Sequence, residues 1–402
     1  MKIGIFSDTH LGFGNDERNQ EAFDRFNESI KMFHDLKVDY ILHAGDLFDH
    51  AVPSQEVWHK TFSCFNKNTG DFSILKKFGF NKDVVDVKVQ GIPIIAIHGT
   101  HEFRGKDFTN AFDILEEANA LCHIHLGYVK LEKNNEIVFI HGMSGVPEKH
   151  AKLLLEKYSP KAISGATNII LFHQSFKEFL PFDDDSIASL SLNDLPVGFD
   201  LIINGHLHWK DEQNIEGRRF LLTGSTIFTQ MKNLESEKEK GIFVFDTSSK
   251  NLEFIPFKNQ RKLFYQKFSF KDVLPDEVKI KVESKIKEIL TENFKIKPLI
   301  RFKLTGTLKK GFSQKDIKLD LPLEKAIFSI SKEFSIQDFK KKIDSLKSLQ
   351  NEKKGIIELG IEILEKNVDE AKLGNFNTRQ IFSLLAENEI EKAENSLLNE
   401  KN

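Results

Sequence analysis

Residues 2–12 read KIGIFSDTHLG: five residues of strand character, a serine, then an acid and an imidazole two positions apart before a glycine. An apolar run of that length, bounded by polar residues and glycine, predicts a buried strand. An Asp and a His just past its carboxyl end stand where an open α/β sheet gathers its ligands. The arrangement recurs down the chain. DYILHAGD (39–46) ends in Asp46, PIIAIHGTH (93–101) in His101, NIILFH (168–173) in His173, and DLIINGHLH (200–208) in His206 and His208. Singly these are ordinary, since a lone Asp46 caps a helix and a lone His10 sits on a surface. In this order they predict convergence.

Helical patterns separate the runs at EAFDRFNESIKMFHDL (21–36), QEVWHKTFSCF (55–65) and NAFDILEEAN (110–119), and EIVFIHG (136–142), RRFLLTGS (218–225) and GIFVFDT (241–247) add strands. This alternation predicts an α/β domain with helices on its sheet, over residues 1–255. The texture then changes to an alternating strand, KLFYQKFSF, a helix through DEVKIKVESKIKEILTE and a strand in PLIRFKLTGTL. That predicts a small α/β domain over 256–335. Residues 336–402 carry no strong strand pattern, and TRQIFSLLAENEIEKAENSLL (378–398) spaces Ile381, Leu384 and Leu385, then Ile390, Ala393 and Leu397, as two short apolar faces.

A chain of 402 residues that is 40% apolar, with 37 Phe, exceeds one core and has enough apolar surface to fold without cross-links. Cys64 and Cys122 lack CxxC spacing, so they read as buried small hydrophobes and exclude a zinc knuckle. Neither a signal peptide nor an 18-residue apolar span is present, and a cytosolic protein is expected. A formal net charge of −3 excludes a protein that coats nucleic acid through an overall basic surface. Charge is uneven, however: residues 256–335 hold 19 Lys and Arg against 10 Asp and Glu.

Histidine nitrogens combined with carboxylates suit manganese, iron or zinc better than an oxygen-only magnesium cage. Two such ions sharing a carboxylate activate water for in-line displacement at phosphorus. The implied chemistry is phosphoester hydrolysis. Of the remaining histidines, His43 and His141 end apolar runs, His34, His50, His59 and His150 read as surface or shell positions, and His123 with His125 reads as an edge or packing pair.

SDTHLGFG (7–14), HAGDLFD (43–49), GTHE (99–102), FHQS (172–175), NGHLH (204–208), GSTIFTQ and EKGIFVFD (within 224–246) resemble the calcineurin-like metallophosphoesterases, a two-layered α/β sandwich. Within them the chain resembles the SbcD-type nuclease subunit of the archaeal, bacterial and eukaryotic double-strand-break repair complex. That resemblance implies two manganese ions per subunit. Asp8, His10 and His208 would hold one, His173 and His206 the other, and Asp46 would bridge. His101 would act at the leaving group, with His98 behind it. It further implies 3'-to-5' exonuclease and endonuclease activity, a DNA-binding cap over 256–335 and a helical tail over 336–402. The tail would dock on the coiled-coil base of an SbcC-type ABC ATPase, and helices near residues 20–35 and 54–66 would form a homodimer. Such a protein would work at the nucleoid.

Candidate DNA contacts are Lys309, Lys310, Lys315 and Lys318, and candidate partner anchors are Phe382, Leu384, Leu385 and Leu398. One position departs from the family. Thr100 stands where it has an asparagine whose carbonyl holds the second metal, and a hydroxyl is a shorter, weaker donor. Asp49 reads as an acceptor behind the ligands or as a helix-start residue rather than as a ligand, and Phe48 and Phe103 as pocket walls. Two other readings stay open: a small-molecule or nucleotide phosphodiesterase, and a weakly catalytic architectural subunit, for which Thr100 is the support.

Overall fold

The computed structural model describes residues 1–14, 16–81, 83–105, 107–180, 190–335, 361, 364–365 and 377–386. In chain order the elements are β1 (Lys2–Phe6), α1 (Asp16–Asp35), β2 (Tyr40–Ala44), α2 (Gln55–Phe65), β3 (Phe72–Phe78), β4 (Val84–Gln90), β5 (Ile94–Ile97), α3 (Ala111–Glu117), β6 (Cys122–His123), β7 (Gly127–Lys133), β8 (Glu136–Met143) and α4 (Glu148–Tyr158). There follow β9 (Thr167–Phe172), β10 (Leu201–Asn204), β11 (Asp211–Ile215), β12 (Arg218–Leu222), α5 (Asn233–Ser236), β13 (Gly241–Asp246), β14 (Leu252–Pro256), β15 (Leu263–Val273), α6 (Pro275–Ile289), β16 (Leu299–Leu308), β17 (Ile327–Ser335) and α7 (Thr378–Ala386).

Two sheets, not one, carry the first domain: a six-stranded sheet of order β14-β13-β1-β2-β5-β6 and an eight-stranded sheet of order β11-β12-β10-β9-β8-β7-β3-β4. The central strands are parallel, β1-β2-β5-β6 in one and β8-β9-β10-β12 in the other. Their apolar runs are continuous because both faces are covered. In β2, Leu42 and Ala44 join Ile3, Ile5, Ile169, Leu171, Leu201 and Ile203 in the core between the sheets, while Ile41 turns to the core under the helices with Phe23, Phe26, Phe33 and Phe112. In β9 and β10, Ile170, Phe172 and Ile202 face a third core with Ala151 and Leu155 of α4. Each fully buried side chain of this size contributes about 1.5–3 kcal/mol. The strand ends are thereby fixed.

The chain divides into two compact units, Met1–Gln266 with Asn293–Arg301 and Leu323–Ser329, and Lys267–Glu292 with Phe302–Pro322 and the chain from Ile330. Strands β15, β16 and β17 form a three-stranded sheet, and β17 runs to Ser335, further than the apolar pattern past Ile330 predicts. In the second unit α6 buries Val278, Val282, Ile286 and Ile289 at helical spacing, and Phe268 meets Phe302 edge-on at 5.1 Å. Of the tail over 336–402, only α7 and residues 361, 364, 365 and 377 are described. Among the described residues no helix is long and apolar enough to cross a membrane.

Candidate metal centre

Asp8 and His10 follow β1, Asp46 follows β2, Thr100 and His101 follow β5, His173 follows β9, and His206 and His208 follow β10. The first three strands belong to one sheet and the last two to the other, so the groups meet across the open end of the sandwich. Three sets of donor atoms lie within 4.8 Å of one another: Asp8, His10, Asp46 and His208; Asp46, His173 and His206; and His10, Asp49 and His101. Asp46 belongs to the first two, the position a bridging carboxylate occupies.

Such closeness strains the backbone. Asp8, His10, Asp46 and His206 take φ of 50°, 47°, 52° and 74°, the left-handed region, which costs a non-glycine residue about 1–3 kcal/mol. Bonds between the loops hold them there: Asp8 N–H donates to Gly45 C=O (2.9 Å), His10 N–H to Asp46 C=O (3.1 Å) and Leu11 N–H to Leu47 C=O (2.7 Å). Gly45, at φ 94°, lies so close to His173 that a Cβ would sit 2.4 Å from its Nδ1; one on Gly99 would sit 2.0 Å from Asp46 Oδ1. Only glycine lets these loops touch.

Each imidazole is oriented through one nitrogen so that the other is presented to the cluster, the usual arrangement of histidine ligands. His10 Nδ1 lies 3.2 Å from Asp49 Oδ1, and its Nε2 faces His208 Nε2 at 3.2 Å. His208 Nδ1 bonds to the Thr229 hydroxyl. His173 Nδ1 donates to Ala44 C=O (2.7 Å), leaving a buried Nε2 without a hydrogen-bond partner, 3.1 Å from Asp46 Oδ2. His206 spends Nε2 on the Ser175 hydroxyl (3.0 Å), and its Nδ1 stands 3.5 Å from Thr100 Oγ1. Thr100 is therefore at the second cluster, at the limit of contact.

Charge tells the same story. Burial, with Asp46 close by, pushes the Asp8 carboxyl up to about 6. Burial would lower the His173 pKa, but the carboxylates of Asp46 and Asp8 outweigh it and bring it to about 10. Crowded, dehydrated carboxylates facing unpartnered imidazole nitrogens are what divalent cations satisfy. The donor set fits two ions.

His101 is the exposed member, with 41% of its side chain open to solvent. Its N–H donates to Asp46 Oδ1 (2.9 Å) and its Nδ1 to Asp49 C=O (2.7 Å), which leaves Nε2 free, 3.9 Å from Asp46 Oδ2. Asp49 thus orients both His10 and His101. Phe48 is not a pocket wall, because it is fully buried against Trp58.

Sequence reasoning missed three supports. Buried Glu102 clamps two loops by accepting from Phe48 N–H (2.6 Å) and Gly99 N–H (2.8 Å); burial and Asp46 push its carboxyl up to about 8. Lys240 and Glu235 form a buried ion pair (2.9 Å). Lys240 Nζ also donates to His208 C=O (2.6 Å), and Glu235 accepts from Thr229 N–H (3.1 Å), so the pair fixes both His208 and its hydroxyl partner.

Of the other candidates, Lys309, Lys310, Lys315 and Lys318 are all exposed, after β16 and around a 3-10 turn at Gln314–Asp316. Phe382 and Leu384 are half-buried on α7, Leu385 is 48% exposed, and Leu398 lies outside the described residues.

The model of the family described as calcineurin-like phosphoesterase matches residues 1–210. The DNA double-strand break repair protein Mre11 of Sulfolobus acidocaldarius is 27% identical over 319 residues, covering 77% of this chain and 76% of its own. That of Thermoplasma acidophilum is 26% identical over 346 residues, 81% of each chain. The human double-strand break repair protein MRE11 is 26% identical over 314 residues, 66% of this chain and 42% of its own. With the match spanning more than half its length and the donor set at the strand ends, this chain belongs to the calcineurin-like phosphoesterase family and is homologous to the Mre11 proteins.

Proposed function

We propose that this chain is the nuclease subunit of a double-strand-break repair complex, SbcD-type in organisation, which hydrolyses DNA phosphodiesters as a 3'-to-5' exonuclease and as an endonuclease. The carrying observation is that buried imidazoles and carboxylates converge on two adjoining points that share Asp46, with His101 open to solvent beside them. Asp8, His10, His208 and Asp46 would hold one manganese ion; Asp46, His173 and His206, with Thr100 at the edge, would hold the other. When bound, the ions supply Lewis acidity to an in-line displacement at phosphorus.

The remaining chemistry belongs to side chains. The Asp49 carbonyl holds the His101 ring through Nδ1–H, so the ring acts as an acid only in its doubly protonated form, from which Nε2–H would pass its proton to the leaving-group oxygen as that oxygen's bond to phosphorus breaks, leaving the neutral imidazole. Asp49 and Thr229 hold His10 and His208 with Nε2 toward the centre.

In this reading residues 1–255 are the phosphoesterase domain, 256–335 a DNA-binding cap and 336–402 a helical region for the partner. The exposed lysines 309, 310, 315 and 318 meet DNA phosphates, which supply affinity without sequence preference. Phe382, Leu384, Leu385 and Leu398 anchor the coiled-coil base of an SbcC-type ABC ATPase, and two copies pair through helices of the phosphoesterase domain at the nucleoid. The Mre11 similarity and the basic balance of 256–335 support DNA over a small phosphodiester. Thr100 favours a second reading, a subunit that keeps the architecture and cleaves weakly.

The test is manganese-dependent cleavage of end-labelled linear duplex DNA, with His101→Ala alongside and the ATPase added in a second series. The expected result is cleavage by the unaltered chain and a fall of about 10²–10⁴-fold in kcat for His101→Ala, with two manganese ions bound to both. No cleavage even with partner and ATP present would sink the nuclease reading in favour of the architectural one.

A further inference from the structure

The loop that brings Thr100 and His101 to the metal centre continues into the wall of a separate cavity of about 590 Å³, within the range of small-molecule sites, about 300–1,000 Å³. Phe103, Arg104 and Phe108 of this loop line it together with His98, His123 and His125. Two of these rings are costly to leave in water: Phe103 is 38% and Phe108 62% exposed. Arg104 is already engaged, its guanidinium 4.8 Å over the Phe108 ring and its Nη1 donating to Thr109 C=O (3.1 Å). The aromatic surface is pre-shaped rather than loose.

The imidazoles form an ordered chain. Asp113 Oδ1 accepts from His123 Nδ1 (2.9 Å), and His123 Nε2 meets His98 Nδ1 at 2.9 Å. These contacts fix the orientations of both rings. His125 is exposed at the edge of this wall.

Charge in the lining does not suit a phosphate. Lys77 is paired with Glu116, Arg104 is spent on Phe108 and Thr109, and Asp113 contributes a carboxylate to the same wall. Exposed aromatic faces beside oriented imidazole rings are what a flat neutral heterocycle uses, by stacking and by hydrogen bonds at its edge. Arg104 lies three positions after His101, so their Cα atoms are at most about 11 Å apart. A strand held at His101 reaches the cavity rim within a nucleotide or two.

The geometry points to this cavity as a nucleobase subsite, taking one unpaired base of the strand whose phosphodiester lies at the metal centre. The inference rests on the phosphodiesterase reading above and adds to it a demand for an unstacked base beside the cleaved bond. It predicts that the chain distinguishes a strand with bases from the same backbone without them.

The test is fluorescence anisotropy of the full chain, in excess chelator to prevent cleavage, with end-labelled oligothymidylate and with an abasic oligomer of equal length. The unaltered chain is expected to bind the base-bearing strand about tenfold or more tightly. Phe103→Ala with Phe108→Ala is expected to remove that preference; both rings are exposed, and a matched thermal melt checks folding. Equal binding of the two oligomers by the unaltered chain, which is the outcome for a phosphate-only site, overturns the proposal. So does a preference that survives in the double variant. Manganese-dependent hydrolysis of bis(p-nitrophenyl) phosphate by the unaltered chain reports separately on the metal centre: its absence would sink the phosphodiesterase reading, while anisotropy still decides whether the cavity holds a base.

Discussion

His206 and His208 leave the same strand two residues apart, yet the molecule holds them differently. His208 is buried, its Nδ1 bonds to Thr229, and the buried Lys240–Glu235 pair holds both its carbonyl and the Thr229 backbone. His206 keeps a quarter of its side chain in solvent; its backbone N–H donates to Asp8 Oδ1 (3.0 Å), but its ring is held at the rim, by the Ser175 hydroxyl (3.0 Å) with Glu148 Oε1 3.7 Å from the same nitrogen and Thr100 at 3.5 Å. One half of the centre is thus built into the core, and the other is completed by side chains at its rim. Partners outside the first ligands are typically worth about 10–100-fold in metal affinity. The two ions are therefore expected to bind with unequal affinity, the first at the His10–His208 side.

The largest effect that would sharpen this contrast lies in the brace. Burial lowers the Lys240 pKa against the pull of Glu235, so the ammonium depends on its partner. Glu235→Ala leaves it buried and unpaired, a loss of about 3–5 kcal/mol, read as a lower urea midpoint in the metal-free chain. A change below about 1 kcal/mol would mean that the brace carries little. The next effect is confined to one ligand. Thr229→Val keeps shape but removes the hydroxyl on His208 Nδ1, and should weaken the tighter manganese site by about 10–100-fold while leaving the other unchanged in a calorimetric titration. Equal weakening of both sites would break the distinction between the halves.

The contrast also separates what could be read in the sequence from what could not. Strands β1, β2, β5, β9 and β10 are apolar on both faces and end in Asp or His, so their pattern announced both the fold and the donors. Strands β3 and β4, FSILKKF and VVDVKVQ, were not read: in β3 Lys76 and Lys77 break the apolar period, and β4, which alternates Val85, Val87 and Val89 with charged and polar residues, buries only Val87 and Val89 at the edge of the sheet. The pairing of two sheets was hidden from the apolar pattern and came only with the family resemblance: a strand buried under a helix and one buried under another sheet have the same composition. The brace was concealed for a third reason. Glu235 and Lys240 bound a run, ESEKEK, that reads as solvated surface; Glu237, Lys238 and Glu239 are exposed, while Glu235 and Lys240 are 1% and 4% exposed. Only tertiary contact distinguishes these ends from the middle.

Thr100 is where the sequence raised a question that geometry narrows. Its hydroxyl stands beside His206 Nδ1, so it is placed to contribute at the second cluster, but a hydroxyl oxygen lies closer to its own backbone than an asparagine carbonyl does. Thr100→Asn extends an uncharged acceptor toward the same point and should tighten the weaker manganese site by about tenfold, the lower end of what an ordered group at a metal is worth. The tighter site, which Thr100 does not touch, should not move. Thr100→Val supplies the opposite arm, since it removes the hydroxyl and keeps the volume. If the hydroxyl helps to hold the ion, directly or through a water, Val weakens the second site alone. If Asn and Val both leave the titration as it was, the rim of the centre is completed by something other than this residue, and the inequality between the halves has its origin in the exposure of His206.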